Sequence, residues 1–261
     1  MRIKINNLSL NYDSVKALDS ITLDIEPGNV TCIIGPNGAG KTSLLKSIAS
    51  LLKPTGGSIY LDGKDSKLYK PKELAKIISY SEAQITRSIP MKVLDFILTA
   101  RYPFHDVLHY FEGGRDLEVV NDVCNELKVT HLLDRRLDEV SSGELQRIII
   151  AAALAKRPKV LLLDEPSAYL DIRYRFEVLD HVRRYTKEYN ITTVIALHDL
   201  HLTSIYCDKV VLMSGGRIVA CGSPSEVLTD EAIRNVYGVE VMTIAVGNGS
   251  VIAVPKPSNL G

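Results

Sequence analysis

Short apolar runs separated by polar turns predict a sheet at the start of the chain. The polar stretch from Asn11 to Ser14 separates the first two runs, as in an antiparallel pair of strands. The third run stops at Gly35, and helical spacing follows from Lys41 to about Leu52. The predicted strands of this region are Ile3 to Leu10, Ile21 to Ile25, Val30 to Ile34, Gly57 to Leu61 and Ile77 to Tyr80.

Helical spacing replaces the strand pattern from Met91 to about Asp138, where apolar residues recur at three and four positions. Strands then return, and a long helical stretch separates the first two, as β-α-β units require. These later strands are Val160 to Leu163, Ile191 to Leu197, Lys209 to Met213 and Arg217 to Cys221.

This alternation predicts one α/β domain over residues 1–261. Residues 1–90 and 139–240 would form the core together with an N-terminal antiparallel β subdomain. Residues 91–138 would be an inserted helical subdomain, and residues 241–261 would hold C-terminal strands and a loose tail.

Composition excludes several classes of protein. Hydrophobic residues make up 46% and charged residues 24%, which argues against disordered, collagen-like and coiled-coil chains. Lys plus Arg and Asp plus Glu number 31 each, so no basic field predicts a nucleic acid partner. The longest apolar run, Ile148 to Ala155, is far shorter than the roughly 20 residues of a membrane-spanning helix. With no secretory signal at its start, we expect the chain to stay in the cytosol.

Cysteines and isolated histidines predict no chemistry of their own. The cysteines, which are Cys32, Cys124, Cys207 and Cys221, are scattered without a C-x-x-C pair. That pattern suits reduced thiols better than disulfides or a zinc site. His105 and His109 share a predicted helical face with no carboxylate in register, so we expect surface residues rather than metal ligands.

One glycine-rich segment between a predicted strand and a predicted helix fits the phosphate-binding pattern G-x-x-x-x-G-K-[ST]. Its backbone N–H groups would wrap a phosphate, and the helix N-terminus adds positive charge. Lys41 would reach the β- and γ-phosphates of a nucleotide, and the Thr42 hydroxyl would bind Mg²⁺. The predicted nucleotide-binding residues here are Gly35, Pro36, Asn37, Gly38, Ala39, Gly40, Lys41, Thr42 and Ser43.

A second apolar strand ends in two carboxylates. Asp164 and Glu165 follow Val160 to Leu163, at the end of a strand where ligands sit in open α/β sheets. Asp164 is predicted to hold Mg²⁺ through a water, and Glu165 to polarise the attacking water. Alone, such a pair could merely cap the next helix. The phosphate-binding segment upstream favours catalysis.

Together with these motifs, the stretch from Val140 to Arg147 resembles the signature segment of the ATP-binding cassette (ABC) family. Ser167 to Asp171 is similar to the D-loop of that family, and His198 stands where the family has a histidine that contacts the γ-phosphate. The resemblance covers nearly the whole chain and implies a P-loop NTPase core that hydrolyses ATP with Mg²⁺. It also implies Lys41, Glu165 and His198 as the catalytic residues.

The resemblance further implies a site that two copies share in an ATP-dependent head-to-tail dimer. The signature residues that would clamp the γ-phosphate bound to the second copy are Ser141, Ser142, Gly143 and Glu144. Asp171 would belong to the D-loop. Tyr12 would stack on the adenine, although an aromatic residue between two strands could equally be surface packing.

Two positions depart from the family pattern. Ser142 replaces the first glycine of the signature, so either its φ is below zero or the segment is strained. The family's Q-loop glutamine falls at Ala83 when counted back from Val93. Gln84 lies one residue later, so either Gln84 or Glu82 would reach Mg²⁺.

Three further stretches resemble the ATPases of ferric-siderophore, haem and cobalamin importers. They are Val93 to Pro103, Ser142 to Arg147 and Gly222 to Val239. That subgroup implies a separate permease dimer with this chain on the cytoplasmic face of the cell membrane. A groove between about Glu82 and Asp138 would receive a permease helix, and an extracytoplasmic substrate-binding protein would act indirectly. The alternatives are a molybdate-type oxyanion importer, a soluble cassette acting on nucleic acid or translation, and a cassette for iron–sulfur assembly.

Overall fold

An antiparallel sheet opens the fold in the strand order β2-β1-β4-β5. The computed structural model describes residues 1–82, 90–105, 113–168, 170–246 and 250–256. The strands of this sheet are β1 (Ile3–Tyr12), β2 (Val15–Ile25), β4 (Gly56–Leu61) and β5 (Lys64–Asp65). Strand β2 begins six residues before the predicted Ile21 because register shifts let its polar start pair with the end of β1, with Lys16 opposite Asn11.

The second sheet has six strands in the order β10-β9-β3-β8-β7-β6, parallel except for β10. Its strands are β3 (Val30–Ile34), β6 (Ile78–Glu82), β7 (Val160–Asp164), β8 (Thr192–Ala196), β9 (Lys209–Ser214) and β10 (Arg217–Gly222). Since parallel strands end at one edge, the residues after β3, β7 and β8 come together there. These are the phosphate-binding segment, Glu165 and His198.

Helices cover both faces of this sheet. They are α1 (Lys41–Ile48), α2 (Pro71–Ile77), α3 (Val93–Thr99), α4 (Gly113–Glu126), α5 (Ser142–Ala155), α6 (Ile172–Glu188), α7 (Leu200–Tyr206), α8 (Pro224–Val227) and α9 (Asp230–Tyr237). Single turns of 3₁₀ helix occupy Ser66–Leu68, Tyr102–Phe104, Thr130–Leu132 and Leu137–Glu139. Helix α1 ends before the predicted Leu52, since Ser50 has a left-handed φ of +58°.

Alternate side chains of the parallel strands enter two separate cores. On β7, Leu161 and Leu163 pack with helices α3 to α7, whereas Leu162 packs with α1 and the antiparallel sheet. The phosphate-binding segment and the signature helix therefore lie on opposite faces: Ala39 and Leu44 belong to one core, and Leu145 of α5 belongs to the other.

A buried cluster of charged side chains joins residues 101–105 to helices α4 and α5. His105 belongs to this cluster, so the expectation that His105 is a surface residue is wrong. The Nε2 atom of His105 lies 2.7 Å from Oδ2 of Asp116, and the His105 side chain is 10% exposed. Arg101 donates from Nε to Oδ1 of the same carboxylate at 2.8 Å and from NH1 to the Ala155 carbonyl at 3.1 Å. The sequence did not indicate Asp116 because this residue is 15 positions from Arg101, beyond the three- and four-residue spacing of a helix face. His109 lies outside the described residues.

The cysteines also correct an expectation. Cys32 on β3 and Cys207 at the end of α7 form a disulfide, with their Cα atoms 5.8 Å apart. They are 175 residues apart in sequence, so no local spacing could indicate the pairing. Cys124 is a free buried thiol, and Cys221 is free.

Strands β11 (Val241–Val246) and β12 (Ser250–Pro255) form a C-terminal hairpin that packs on α7 and α9. The tail beyond Lys256 lies outside the described residues. None of the helices in the described ranges has the length and apolar character needed to span a membrane.

Candidate nucleotide site

The phosphate-binding segment forms a tight loop between β3 and α1. Gly40 caps α1 with a left-handed φ of +99°, and a Cβ there would meet the Ala17 carbonyl oxygen at 2.6 Å. A Cβ on Gly35 would meet the Met213 carbonyl oxygen at 2.2 Å. Neither position can hold a side chain without moving the backbone. The loop therefore requires glycine where the pattern places it.

Lys41 folds back over this loop. Its Nζ donates to the carbonyl oxygens of Gly35 at 2.8 Å and Pro36 at 3.1 Å, and the residue is only 6% exposed. Burial lowers the pKa of the Lys41 ammonium, while the carboxylates of Glu165 and Asp164 oppose that shift. The ammonium is thus already aimed along the loop that would hold the phosphates.

Asp164 and Thr42 form the candidate Mg²⁺ site. Asp164 is 7% exposed, and its Oδ1 has no hydrogen-bond partner within the described ranges. Burial raises the pKa of this carboxyl, whereas a hydrogen bond with the Thr42 side chain lowers it. A buried, unpartnered carboxylate oxygen beside a hydroxyl fits Mg²⁺, which takes oxygen ligands and binds through one or two carboxylates plus phosphates.

Glu165 and His198 meet across the carboxyl edge of the sheet. The Nε2 of His198 is 2.6 Å from Oε1 of Glu165, and both side chains are about two-fifths exposed, at 43% and 41%. Glu165 has a left-handed φ of +54°, and its amide donates to the Ala196 carbonyl at 3.1 Å. Holding a non-glycine residue in this region costs about 1 kcal/mol or more and is a common feature of functional sites. The sequence named both residues but not their direct pairing.

Glu82 lies beside Asp164, since the two residues pair in register between β6 and β7. Its Oε1 accepts from the Tyr80 hydroxyl at 2.7 Å and forms an ion pair with Lys46 on α1. Burial raises the pKa of the Glu82 carboxyl, but the Lys46 and Tyr80 hydrogen bonds outweigh it, so this pKa lies below its usual value. The Glu82 carboxylate therefore already has two partners, Tyr80 and Lys46. The predicted alternative, Gln84, lies outside the described residues.

The signature segment begins helix α5. Ser141 is the N-cap and accepts from the Glu144 amide at 3.3 Å, while the Glu144 carboxylate accepts from the Ser141 amide at 2.8 Å. Ser142 is the first helical residue and is not among the residues with positive φ. The φ of Ser142 is therefore below zero, and serine at this position does not strain the segment. A Cβ on Gly143 would meet Leu170 at an ordinary 3.5 Å.

Three other sequence-predicted positions lie at the start of α6, at the end of β1 and in α1. Asp171 caps helix α6 by accepting from the Tyr174 amide at 3.2 Å. Tyr12 is the last residue of β1 and is 46% exposed. Ser43 lies in α1, and its carbonyl accepts from Ser47. One contact that the sequence did not indicate joins α5 to the segment after Glu165: Gln146 Nε2 donates to the Pro166 carbonyl at 3.2 Å.

The sequence profile described as "ABC transporter" matches residues 18–168, which include the phosphate-binding loop, the signature segment and the Asp164–Glu165 pair. Because this match covers more than half of the chain, the protein belongs to the ABC transporter ATP-binding family. It is an ATP-binding subunit and an ATPase, as the sequence predicted.

Known proteins that are similar to this chain support the same family assignment. The ferric enterobactin transport ATP-binding protein FepC of Escherichia coli is 34% identical over 93% of this chain and 89% of its own length. The hemin import ATP-binding protein HmuV of Bordetella parapertussis is 31% identical over 94% and 95%. The solved structure of the cassette MJ1267 in its ADP conformation has a TM-score of 0.80 at 29% identity, over 91% of this chain and 98% of its own. The predicted cassette fold is thus confirmed.

Proposed function

We propose that this ATPase powers the import of a metal chelate, such as a ferric siderophore, haem or cobalamin, through a separate permease. The observation that carries the proposal is near full-length similarity to relatives named for ferric enterobactin and hemin transport. The three importer-like stretches of the sequence support the same subgroup.

In this proposal, Glu165 accepts the proton that the attacking water loses as its oxygen bonds to the γ-phosphorus. A positioned general base contributes about 10²–10⁴-fold to the rate. His198, at 2.6 Å, holds the Glu165 carboxylate in place. Lys41 exchanges its carbonyl partners for phosphate oxygens, and Thr42 and Asp164 hold Mg²⁺. When bound, Mg²⁺ neutralises charge that develops on the phosphate oxygens.

A second copy of the chain completes the site. The N-terminus of α5 offers an anion-binding end beside Ser141, but α5 packs on the face of the sheet opposite to α1. A symmetric pair can place each signature segment over the partner's phosphate-binding loop. We therefore infer a head-to-tail dimer that forms when ATP is bound.

The permease contact is proposed at a cavity of about 520 Å³ between the end of α1, helix α2 and Lys156. Its lining includes the apolar side chains of Leu52, Ile59, Leu74 and Ile78, and Leu51 beside them is 60% exposed. An apolar groove of this size suits one amphipathic helix. The cavity differs in place from the predicted groove between about Glu82 and Asp138, since its lining residues precede Glu82 except for Lys156. Docking here would hold the chain on the cytoplasmic face of the membrane.

The test is reconstitution with the cognate permease and substrate-binding protein, followed by ATP hydrolysis against a panel of chelates, oxyanions, sugars and amino acids. Binding-protein docking biases the cassette between open and closed states, so the correct cargo raises the hydrolysis rate. Stimulation by a metal chelate is expected, with Glu165→Gln as the inactive control. Stimulation by molybdate alone would move the protein to the oxyanion importers, and stimulation only by a sugar or amino acid would reject the subgroup.

A further inference from the structure

The backbone of Glu165 is held against two local preferences. Its φ of +54° lies in the left-handed region, which a non-glycine residue occupies only at a cost. Pro166 follows it, and a proline favours an extended conformation for the residue before it. Without other contacts, Glu165 would therefore turn toward the extended region, and its carboxylate would move with the backbone.

Three hydrogen bonds keep this backbone in place. The Glu165 amide donates to the Ala196 carbonyl at 3.1 Å, and the Glu165 carbonyl accepts from the Ala168 amide at 3.0 Å. The third bond is donated by Nε2 of Gln146 to the Pro166 carbonyl at 3.2 Å. The first two bonds join backbone groups, whereas the third comes from a side chain. A single substitution can therefore remove the third bond alone.

Gln146 is a polar residue in a buried part of the signature helix α5. It is 2% exposed, and its neighbours Leu145 and Arg147 are 6% exposed each. Burial of an amide is unfavourable unless the amide is hydrogen-bonded. A methionine or leucine could fill the same space without that cost. The contribution that only the amide makes here is the hydrogen bond to Pro166.

We propose that Gln146 is a positioning residue for ATP hydrolysis, because its bond to Pro166 holds Glu165 in the conformation that presents the carboxylate to the attacking water. The proposal rests on the role of Glu165 in the proposed function. Gln146 acts through the backbone of the loop after β7 and not on the reacting atoms.

The Glu165 side chain needs an anchor at each end. His198 lies 2.6 Å from its carboxylate, and Gln146 secures the backbone from which the side chain extends. A glutamate side chain is flexible, so one anchor alone leaves the other end free to shift. A misplacement of about 1 Å can cost about 10²-fold in rate. Loss of the Gln146 bond should therefore slow hydrolysis although His198 is intact.

Nucleotide binding should not depend on this bond. Leu145 of α5 packs in one core, whereas Ala39 and Leu44 of the phosphate loop and α1 pack in the other. Lys41 is held by carbonyl oxygens of its own loop. The Gln146 bond thus lies on the opposite side of the sheet from the groups that would bind the phosphates.

The test compares ATP hydrolysis by the full chain and by Gln146→Met, which keeps the length of the side chain and removes the donor. The kcat should fall by about 10–10²-fold with KM changed by less than about twofold, because the bond matters only for the transition state. Equilibrium ATP binding at the parent's affinity shows that the variant folds. Gln146→Leu serves the same comparison if Gln146→Met does not fold. An unchanged kcat would overturn the proposal, and so would a loss confined to KM.

The matched control is Thr186→Val, which removes a buried side-chain hydrogen bond at the opposite edge of the sheet. The Thr186 hydroxyl donates to the Val182 carbonyl at 2.7 Å and lies 2.6 Å from the Thr193 hydroxyl, near the start of β8. Thr186→Val should lower the free energy of unfolding and leave kcat unchanged. If Thr186→Val slowed hydrolysis as much as Gln146→Met, the Gln146 effect would be one of general stability.

A double-mutant cycle with Glu165→Gln separates positioning from a general loss of structure. Once Glu165 has lost its carboxylate, Gln146 has no base to position, so adding Gln146→Met should change the residual hydrolysis by less than about twofold. A purely structural role would give the same fold loss in both backgrounds, and that result would overturn the proposal.

The same variants distinguish this proposal from the proposed function. If Glu165→Gln alone kept the parent's kcat, the role of Glu165 as the base would fail. If Glu165→Gln lost hydrolysis and Gln146→Met did not, only the positioning role of Gln146 would fail.

Discussion

At the scale of single residues, the carboxyl group of Asp164 is held in an unfavourable environment. Burial raises its pKa, and one of its oxygens has no partner in the described part of the chain. A buried unsatisfied polar group costs about 1–3 kcal/mol. The protein without Mg²⁺ and nucleotide is therefore less stable than its packing alone would allow.

Replacement of Asp164 by Asn should raise the free energy of unfolding at pH 7 by about 1–3 kcal/mol in the absence of Mg²⁺ and ATP, because a neutral amide replaces a buried charge. Because the folded pKa is the higher one, the penalty is absent below the unfolded value of 3.8 and develops as pH rises through it. Urea titrations of both proteins at pH 3.5 and pH 7 measure the difference. An equal difference at both values would show that the charge of Asp164 is not the cause.

Glu165→Gln should retain ATP binding and lose hydrolysis by about 10²-fold or more, because an amide cannot accept the proton while the phosphate loop is intact. Equilibrium binding and steady-state hydrolysis measure the two effects. Lys41→Ala is the contrasting variant, and it should weaken binding itself, since the Lys41 ammonium is the charge aimed at the phosphates. Equal losses of binding in both variants would contradict these roles.

At the scale of elements, the signature helix α5 is secured at both ends. Ser141 and Glu144 cap its start reciprocally. At its other end, Arg101 donates to the carbonyl oxygens of Ala155 and Lys156. Both ends of the helix thus depend on side chains that can be tested separately.

Ser141→Ala should lower the free energy of unfolding by about 1 kcal/mol through loss of the N-cap. Ser142→Gly should not stabilise the protein, because Ser142 already has a helical φ and no strain is relieved. Thermal unfolding of the two variants compares these effects. A Ser142→Gly variant more stable than the parent would indicate strain that the backbone does not show.

Arg101→Met should cost about 3–5 kcal/mol, the typical loss when one partner of a buried ion pair is removed. The matched control is Arg136→Met, because Arg136 pairs with Asp138 on the surface, where both side chains are more than two-fifths exposed. An exposed pair contributes little to stability because water and salt screen it. Urea unfolding should therefore separate the two variants clearly, and similar losses would argue against a structural role for the buried cluster.

The sequence predicted elements and motif residues well where the signal is local. The phosphate loop and the apolar strand before Asp164 both depend on neighbouring residues. Contacts between segments that are far apart in sequence could not be predicted from neighbouring residues. The Glu82 pairing with Lys46, the Arg101–Asp116 pair and the His198–Glu165 contact arise only when strands and helices are brought together.

At the scale of the whole molecule, the disulfide between Cys32 and Cys207 links the strand before the phosphate loop to the end of α7. Protein kept from reductants should show two reactive thiols after denaturation, those of Cys124 and Cys221, and four after reduction. Reduction should also lower the free energy of unfolding by roughly 2–5 kcal/mol. Four thiols in unreduced protein would mean that Cys32 and Cys207 remain separate thiols in solution.

The hydrogen bonds of Lys41 to Gly35 and Pro36 make nucleotide binding a competition within the protein. An arriving phosphate must displace two carbonyl oxygens from the ammonium, so the measured affinity is the difference between two sets of bonds. After hydrolysis, the same two carbonyl oxygens can again accept hydrogen bonds from the Lys41 ammonium. The better the loop carbonyls satisfy Lys41, the lower the affinity for every nucleotide and the faster the release of product.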